Sequence, residues 1–141
     1  MDWKDIAIRR DASIRDGLEV IDTGGIQIAL VVDENARLLG VVTDGDIRRG
    51  ILQGVDLDAP VTSVMNSDPV TASPDETRSR LIETMKSRRI HQIPVVDTKG
   101  TVQAIKVLDE LLEPEPRPNP VMLMAGGLGT RLRPLTNDCP K

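Results

Sequence analysis

A glycine-rich segment near the carboxyl end has the residue types and spacing of a phosphate-binding loop. It comprises Gly126, Gly127, Gly129, Thr130 and Arg131. The apolar run VMLM at 121–124 precedes it, and an apolar strand leading into a glycine-rich loop is how an α/β nucleotide-binding domain begins. Residues 121–141 supply neither a sheet nor covering helices, so we expect this segment to be catalytically inert by itself.

Thr43 and Asp46 form a second polar pair, three residues apart, where a predicted strand meets a predicted helix. One interpretation is structural, because this spacing is a variant of the capping box that closes a first helical turn. The other is that the hydroxyl and nearby backbone N–H groups hold an anion, which the helix dipole favours. The spacing alone favours the cap, and both roles are compatible.

The elements that position these residues occur as an internal repeat. Val-Val-Asp ends at Asp33 and again at Asp97, 64 residues later. Each copy predicts an amphipathic helix, a β-branched strand, a tight turn, a return strand and a second helix. Either copy alone would expose an apolar sheet face, so we expect the two to pack together.

The predicted boundaries follow from capping and turn residues. The first copy begins with a helix that is capped by Ser13 and ends at Gly24 and Gly25, with Ile14, Leu18 and Ile21 on one face. Two strands follow at 27–32 and 38–42, around a turn at 33–36, and then a helix at 44–52.

The second copy begins with a short helix at 59–65 and a strand at Pro69–Val70. A helix then starts at Ser73–Glu76, with Leu81, Ile82 and Met85 on its face. Strands at 92–96 and 101–105 and a helix at 107–112 complete the copy.

The predicted fold class is therefore α/β (α+β), with tandem β-α-β-β-α repeats forming one module. The domains are residues 1–56 (first repeat with an N-terminal segment), 57–113 (second repeat), 114–120 (a stiff proline-rich linker) and 121–141 (the truncated start of a further domain).

Composition narrows the function classes. Trp3 is the only aromatic residue and the net charge is −4, so aromatic base stacking and a nucleic-acid partner are disfavoured. Cys139 is the single cysteine, which excludes an internal disulfide and fits a reducing compartment. No apolar run approaches membrane-spanning length, and we predict a cytoplasmic protein with no membrane or metal partner.

The repeat resembles the cystathionine-β-synthase (CBS) domain pair, also called a Bateman module. The resemblance rests on VVDENARLLGVVTDGDIRRGIL at 31–52 and RRIHQIPVVDTKGTVQAIKVLDELL at 88–112. It implies an adenosine ligand such as AMP, ATP or another adenosyl compound, for example S-adenosylmethionine. The nucleotide-binding residues that it implies are Ile28, Thr43, Asp44, Asp46, His91 and Ile93.

Within this resemblance, Asp46 would accept hydrogen bonds from ribose hydroxyls and Thr43 would meet phosphate. Backbone groups around Ile28 and Ile93 would contact the base, and His91, beside Arg88 and Arg89, would lie near phosphate. The competing interpretation of these two arginines is a solvated helix end.

The second repeat carries a degenerate version of the Thr43–Asp46 motif. Val107 stands in the place of the threonine and Glu110 in the place of the aspartate. Valine has no hydroxyl and glutamate is longer, so we expect a nucleotide to bind there weakly or not at all.

The carboxyl segment resembles the sugar-phosphate nucleotidyltransferases, whose signature is present without a gap from Gly126 to Lys141. The resemblance implies that the glycine loop holds a nucleoside triphosphate and that Arg131 and Lys141 neutralise charge in a parent enzyme. Magnesium would be needed only by the complete catalytic domain.

Together these features predict a regulatory, nucleotide-binding CBS module of a sugar-phosphate nucleotidyltransferase, and a homodimer formed through CBS helices. This fragment would not be an enzyme itself. The alternative is a nucleotide-independent dimerisation scaffold, in which apolar positions such as Leu81 and Met85, or Ile47 and Ile51, face a partner copy.

Overall fold

The computed structural model describes residues 2–113 of the 141-residue chain. The glycine-rich loop, its Arg131 and Lys141, and the proline-rich linker lie outside the described residues. The described part contains two successive α/β units, and the predicted fold class is confirmed.

The first unit follows the predicted β-α-β-β-α order. Its elements are β1 (Ala7–Arg9), α1 (Ile14–Gly24), β2 (Ile28–Val32), β3 (Leu38–Thr43) and α2 (Asp44–Leu52), with a 3-10 turn at Trp3–Ile6 before them. In the sheet, β1 pairs parallel with β2, which pairs antiparallel with β3. α1 begins at a complete capping box of Ser13 and Asp16, and Gly25 ends it in the left-handed conformation.

The second unit repeats this plan with a weaker first strand. Its elements are α3 (Arg78–Arg88), β4 (Gln92–Val96), β5 (Val102–Val107) and α4 (Leu108–Leu112), preceded by a 3-10 turn at Val61–Ser63. The strand predicted at Pro69–Val70 is wrong. An isolated parallel bridge between Ala72 and Val95 stands in its place.

The predicted start of the second repeat's first helix is also wrong. α3 begins at Arg78 with Thr77 as its cap. Upstream, the Ser73 hydroxyl accepts from the N–H of Asp75, and the Glu76 carboxylate accepts from the N–H of Ser73. These bonds close a separate turn, because serine and acidic side chains compete for backbone groups outside a helix.

The two units are joined at equivalent turns. The N–H of Leu38 donates to the carbonyl of Gly100 (3.0 Å), and the N–H of Val102 donates to the carbonyl of Ala36 (2.9 Å). Around this junction a shared apolar core forms from Ile6, Ile28, Leu30, Val32, Val41, Val102 and Ile105. Burial of side chains from both repeats in one core makes the pair a single packed module.

The helix faces differ from the prediction at several positions. Leu18 is exposed, although Ile14 and Ile21 are buried as expected. Ile47, Leu81 and Met85 are all buried in the cores of their own units, so they cannot face a partner copy as the scaffold alternative supposed. Their burial follows from packing against the strands of the same repeat. No helix within residues 2–113 is long and apolar enough to cross a bilayer.

Candidate functional site

A cleft of about 270 Å³ lies between the two repeats and gathers most of the predicted site residues. From the first repeat it is lined by Ile28, Val41, Thr43 and Asp46; from the second, by Asn66, Asp68, Pro69, Val70, Arg89, Ile90, His91, Gln92 and Pro94. Residues far apart in sequence therefore meet where the units pack.

Thr43 and Asp46 form a complete capping box at the start of α2. Oδ2 of Asp46 accepts from the Thr43 hydroxyl (2.6 Å) and from the Thr43 N–H (2.9 Å), while the Thr43 hydroxyl oxygen accepts from the N–H of Asp46 (3.3 Å). The structural role that the spacing favoured is present. It does not exclude ligand binding, because both side chains also line the cleft.

The remaining hydrogen-bonding capacity of Asp46 lies on its second carboxylate oxygen. Oδ1 accepts from the Arg49 guanidinium at 2.5 Å. A carboxylate offers about four lone-pair sites, so one remains after the bonds to Thr43 and Arg49. A ligand hydroxyl can donate to that site without breaking the cap.

The hydroxyl of Thr43 has less freedom than the sequence suggested. Its single hydrogen is committed to Asp46, so the oxygen can only accept from a ligand unless the cap opens. A phosphate oxygen needs a donor. Thr43 as arranged therefore does not supply the phosphate contact that the family resemblance implies.

Two predicted residues lie outside the cleft. Asp44 lines a separate hollow of about 560 Å³ beside α1, together with Leu18, Glu19, Ile21, Asp22, Gly25 and Gln27. Its carboxylate is also bonded to the Arg48 guanidinium. Ile93 is fully buried in the core of the second repeat, and its neighbours Gln92 and Pro94 line the cleft instead.

His91 and Arg89 reach the cleft from the end of α3. His91 is exposed there, and its backbone carbonyl accepts from the N–H of Leu108, which ties this loop to α4. Arg89 is the C-cap of α3 in the left-handed conformation, with φ 55° and ψ 44°. Within residues 2–113 neither side chain has a hydrogen-bond or ion-pair partner, so both can meet a ligand.

The segment between the repeats supplies lining residues that the sequence reasoning missed. The N–H of Asn66 donates to the carbonyl of Val41 (2.9 Å), and the N–H of Val41 donates back to Asn66 (3.0 Å). This antiparallel bridge holds the segment alongside β3. The turn in which Asp68 donates its N–H to the Asn66 side chain was a readable signal, because Asn-x-Asp-Pro favours a turn.

Gly40, three residues before Thr43 on β3, is required by packing. A Cβ on Gly40 would lie 2.5 Å from the carbonyl oxygen of Asn66 and 2.6 Å from the Met65 side chain. Because Gly40 has no side chain, the segment between the repeats can approach β3, and this approach brings Asn66 and Asp68 to the cleft.

The motif in the second repeat is degenerate in structure as in sequence. Val107 caps α4 without any side-chain hydrogen bond, and α4 has five residues. A hydroxyl–carboxylate pair like that of Thr43 and Asp46 is therefore absent at this position. Within the described residues there is also no cluster of histidine, cysteine or acidic side chains that could hold a metal.

Comparisons with known proteins agree with this architecture. A family model described as the CBS domain matches residues 1–53 and 61–105. Inosine-5'-monophosphate dehydrogenase of Nitrosopumilus maritimus is 30% identical over 113 residues, covering 80% of this chain and 23% of that protein. A probable arabinose 5-phosphate isomerase of Haemophilus influenzae is 37% identical over 89 residues, covering 62% of this chain and 26% of that protein. The chain thus spans about a quarter of the length of these curated relatives.

Among solved structures, the CBS domain protein PAE2072 from Pyrobaculum aerophilum, complexed with AMP, superposes with a TM-score of 0.70. The match covers 78% of this chain and 85% of that one at 23% identity. At this identity the likeness establishes the fold.

Proposed function

The chain belongs to the CBS-domain family, and on that premise we propose that it is a regulatory module whose cleft binds an adenosine nucleotide. The observation that carries the proposal is the convergence of Thr43 and Asp46 with Arg89 and His91 in one cleft between the repeats. The carboxylate of Asp46, from the first repeat, can accept a hydrogen bond from a ribose hydroxyl. The guanidinium of Arg89, from the second repeat, can bind the phosphate of the same ligand.

The contacts in the cleft indicate which lining residues bind the ribose and which bind the base. The free lone pair on Oδ1 of Asp46 accepts from a ribose hydroxyl. Ile28, Ile90 and Pro94 supply apolar surface for a base in a cleft whose described lining residues include no phenylalanine, tyrosine or tryptophan. The AMP in the Pyrobaculum aerophilum relative supports an adenosine ligand.

The module's partner enzyme is a further part of the proposal. The uninterrupted signature from Gly126 to Lys141 favours a sugar-phosphate nucleotidyltransferase. Ligand binding between the repeats would change their packing, and the proline-rich linker at 114–120 would carry the change to the catalytic domain. Coupling of this kind is typically about 1–3 kcal/mol. A cytoplasmic location stays a prediction.

Thermal melting with AMP, ATP and S-adenosylmethionine tests ligand binding. A ligand at 100 times its dissociation constant adds about 2.7 kcal/mol to the free energy of unfolding. We expect a shift in wild type and in Asp16→Ala, which breaks the capping box of α1, but none in Asp46→Ala. No shift of the wild type with any of the three at millimolar concentration would refute the proposal.

A nucleotide-independent dimerisation scaffold remains the second candidate, because Leu18, Ile51, Leu52 and Leu112 are exposed on helices. Leu52 is 81% exposed at the end of α2. If the helices form a homodimer, Leu52→Asp should shift the mass measured by light scattering towards the monomer, and an unchanged mass would argue against this surface. A dimer that binds none of the three adenosyl compounds would favour the scaffold.

A further inference from the structure

The two repeats are exchanged by an approximate two-fold rotation. The N–H of Leu38 donates to the carbonyl of Gly100, and the N–H of Val102 donates to the carbonyl of Ala36. A shift of 64 residues converts each of these bonds into the other. The same shift converts α1 into α3, since both helices have 11 residues and begin 64 residues apart. The outer faces of α1 and α3 are therefore equivalent surfaces of the module.

An apolar residue lies at the same position on both outer faces. Leu18 of α1 is 37% exposed, and Ile82 of α3, 64 residues later, is partly exposed. The buried residues Ile21 and Met85 pack instead into the cores of their own repeats. Each of these two helices therefore presents one apolar side chain that its own chain leaves partly uncovered.

The charges one turn further along the two helices are opposite. Asp22 follows Leu18 by four residues, and Lys86 follows Ile82 by four residues. Both side chains are exposed, and neither has a hydrogen-bond or ion-pair partner within residues 2–113. Residues four apart lie on the same side of a helix. An unpaired carboxylate therefore flanks the apolar position on α1, and an unpaired ammonium group flanks it on α3.

The charges that precede the apolar positions are opposite as well. Asp16 of α1 corresponds to Arg80 of α3, whereas Glu19 and Glu83 carry the same charge. Asp16 also closes the cap of α1, and the guanidinium of Arg80 contacts Glu76 at 3.2 Å. Because the charge changes sign on both sides of the apolar position, the α1 face complements the α3 face whether two such helices run parallel or antiparallel.

We propose that a second copy of this chain docks head to tail on the module, with α1 of each copy against α3 of the other. Leu18 then packs against the partner's Ile82, and Asp22 lies beside a basic residue of the partner. The head-to-head alternative, with α1 on α1 and α3 on α3, would bring like charges together in both contacts. The family resemblance implies a dimer formed through helices, and the inverted charges select which helices meet.

Dissociation constants of the dimer, measured by sedimentation equilibrium on the full chain, test this arrangement. Asp22→Lys and Lys86→Asp should each raise the dissociation constant about tenfold or more, because a two-fold dimer contains the altered contact twice and attraction becomes repulsion in both. A head-to-head dimer would be unchanged or tighter in both variants. The measurement is made without nucleotide, so its result is independent of the proposed function of the cleft.

Lys106→Asp is the matched control, because it reverses an exposed lysine that lies on β5 rather than on either helix face. It should leave the dissociation constant unchanged. Raising the ionic strength should weaken the wild-type dimer, whereas a dimer that holds like charges in contact would become tighter.

Chemical cross-linking gives a geometric measurement of the same contact, in a Cys139→Ser background. With a short bis-maleimide reagent, a mixture of Leu18→Cys and Ile82→Cys chains should form linked dimers, and neither variant should do so alone. A wild type that stays monomeric at millimolar concentration, linked dimers of Leu18→Cys alone, or equal constants in the wild type and both charge variants would overturn the proposal.

Discussion

Oδ2 of Asp46 lies 2.6 Å from the hydroxyl oxygen of Thr43, and the two residues close the first turn of α2 where it borders the cleft between the repeats. Ser13 and Asp16 form the same capping box at the start of α1, away from that cleft. Residues 2–113 therefore contain two equivalent capping boxes, of which one faces the candidate site.

Because the two caps are equivalent but only one borders the cleft, their variants distinguish an effect on the stability of the fold from an effect on AMP binding. Thr43→Ala and Ser13→Ala should each lower the free energy of unfolding by about 1 kcal/mol, the usual cost of losing a cap. Only Thr43→Ala should also weaken AMP binding, because it releases the carboxylate of Asp46. Urea denaturation and calorimetry measure the two effects, and equal AMP affinity in both variants would show that the Thr43–Asp46 pair is only a cap.

Substitutions of Gly40 and Gly45 test whether the segment that contains Met65 and Asn66 must pack closely against β3. Gly40→Ala should lower the free energy of unfolding by about 1–3 kcal/mol, because its Cβ would lie less than 3.0 Å from the Asn66 carbonyl oxygen and from the partly buried Met65 side chain.

Gly45→Ala is the control for Gly40→Ala. Its Cβ would lie 3.4 Å from the end of the Arg49 side chain and 3.7 Å from the Thr43 hydroxyl oxygen, both ordinary contacts, and alanine favours the helix. Urea denaturation should show no loss of stability in Gly45→Ala. Equal stabilities of the two variants would mean that Asn66 can move away from β3 without cost.

The hydrogen bonds accepted by Asp97 predict that the stability of the fold decreases in acid. Its pKa is lowered from the ordinary 3.8, mainly by the hydrogen bond from the Thr101 N–H, against desolvation that raises it, and with help from the Lys99 N–H. A lowered folded-state pKa stabilises the fold above about pH 3.8, and this contribution is lost as pH falls towards the folded-state pKa.

Asp97→Asn keeps the shape and loses the charge. The stability gap between wild type and Asp97→Asn should therefore be largest near neutral pH and should shrink as the pH falls below about 3.8. Denaturation curves from pH 6 to pH 3 measure it. Asp22→Asn, which removes an exposed carboxylate with no hydrogen-bond partner among the described residues, is the reference, and a constant gap for Asp97→Asn would contradict the assignment.

The asymmetry of the repeats predicts a stoichiometry of one. Val107 provides no side-chain cap and Glu110 replaces the aspartate, so the second motif should bind weakly or not at all. Titration of AMP should fit one site per chain, lost in Asp46→Ala and retained in Glu110→Ala. Two equivalent sites per chain would contradict this prediction.

The elements were largely predictable because their signals are local. Ser13, Gly25 and the Val-Val-Asp turns mark caps and hairpins with residue types that have few alternative uses, and α2 and β4 occupy the predicted positions. The start of α3 was not predictable in the same way. Ser73 and Thr77 are both suitable caps, and the choice depends on which turn packs against the rest of the fold.

The site was predictable only in part, because the cleft is made by tertiary packing. Thr43 and Asp46 could be found from spacing, but Asn66 and Asp68 reach the cleft only through the bridge to Val41 and the absent side chain of Gly40. The burial of Ile93 and the separation of Asp44 from the cleft likewise follow from strand and helix orientation.

The most direct test of a nucleotide site between the repeats is a chemical-shift map of the chain's backbone amides during titration with AMP. We expect the largest changes at Thr43–Asp46, Asn66–Val70 and Arg89–Gln92, and we expect Asp46→Ala to abolish them. No changes at millimolar AMP, or changes confined to the hollow beside α1 or to Val107 and Glu110, would contradict it.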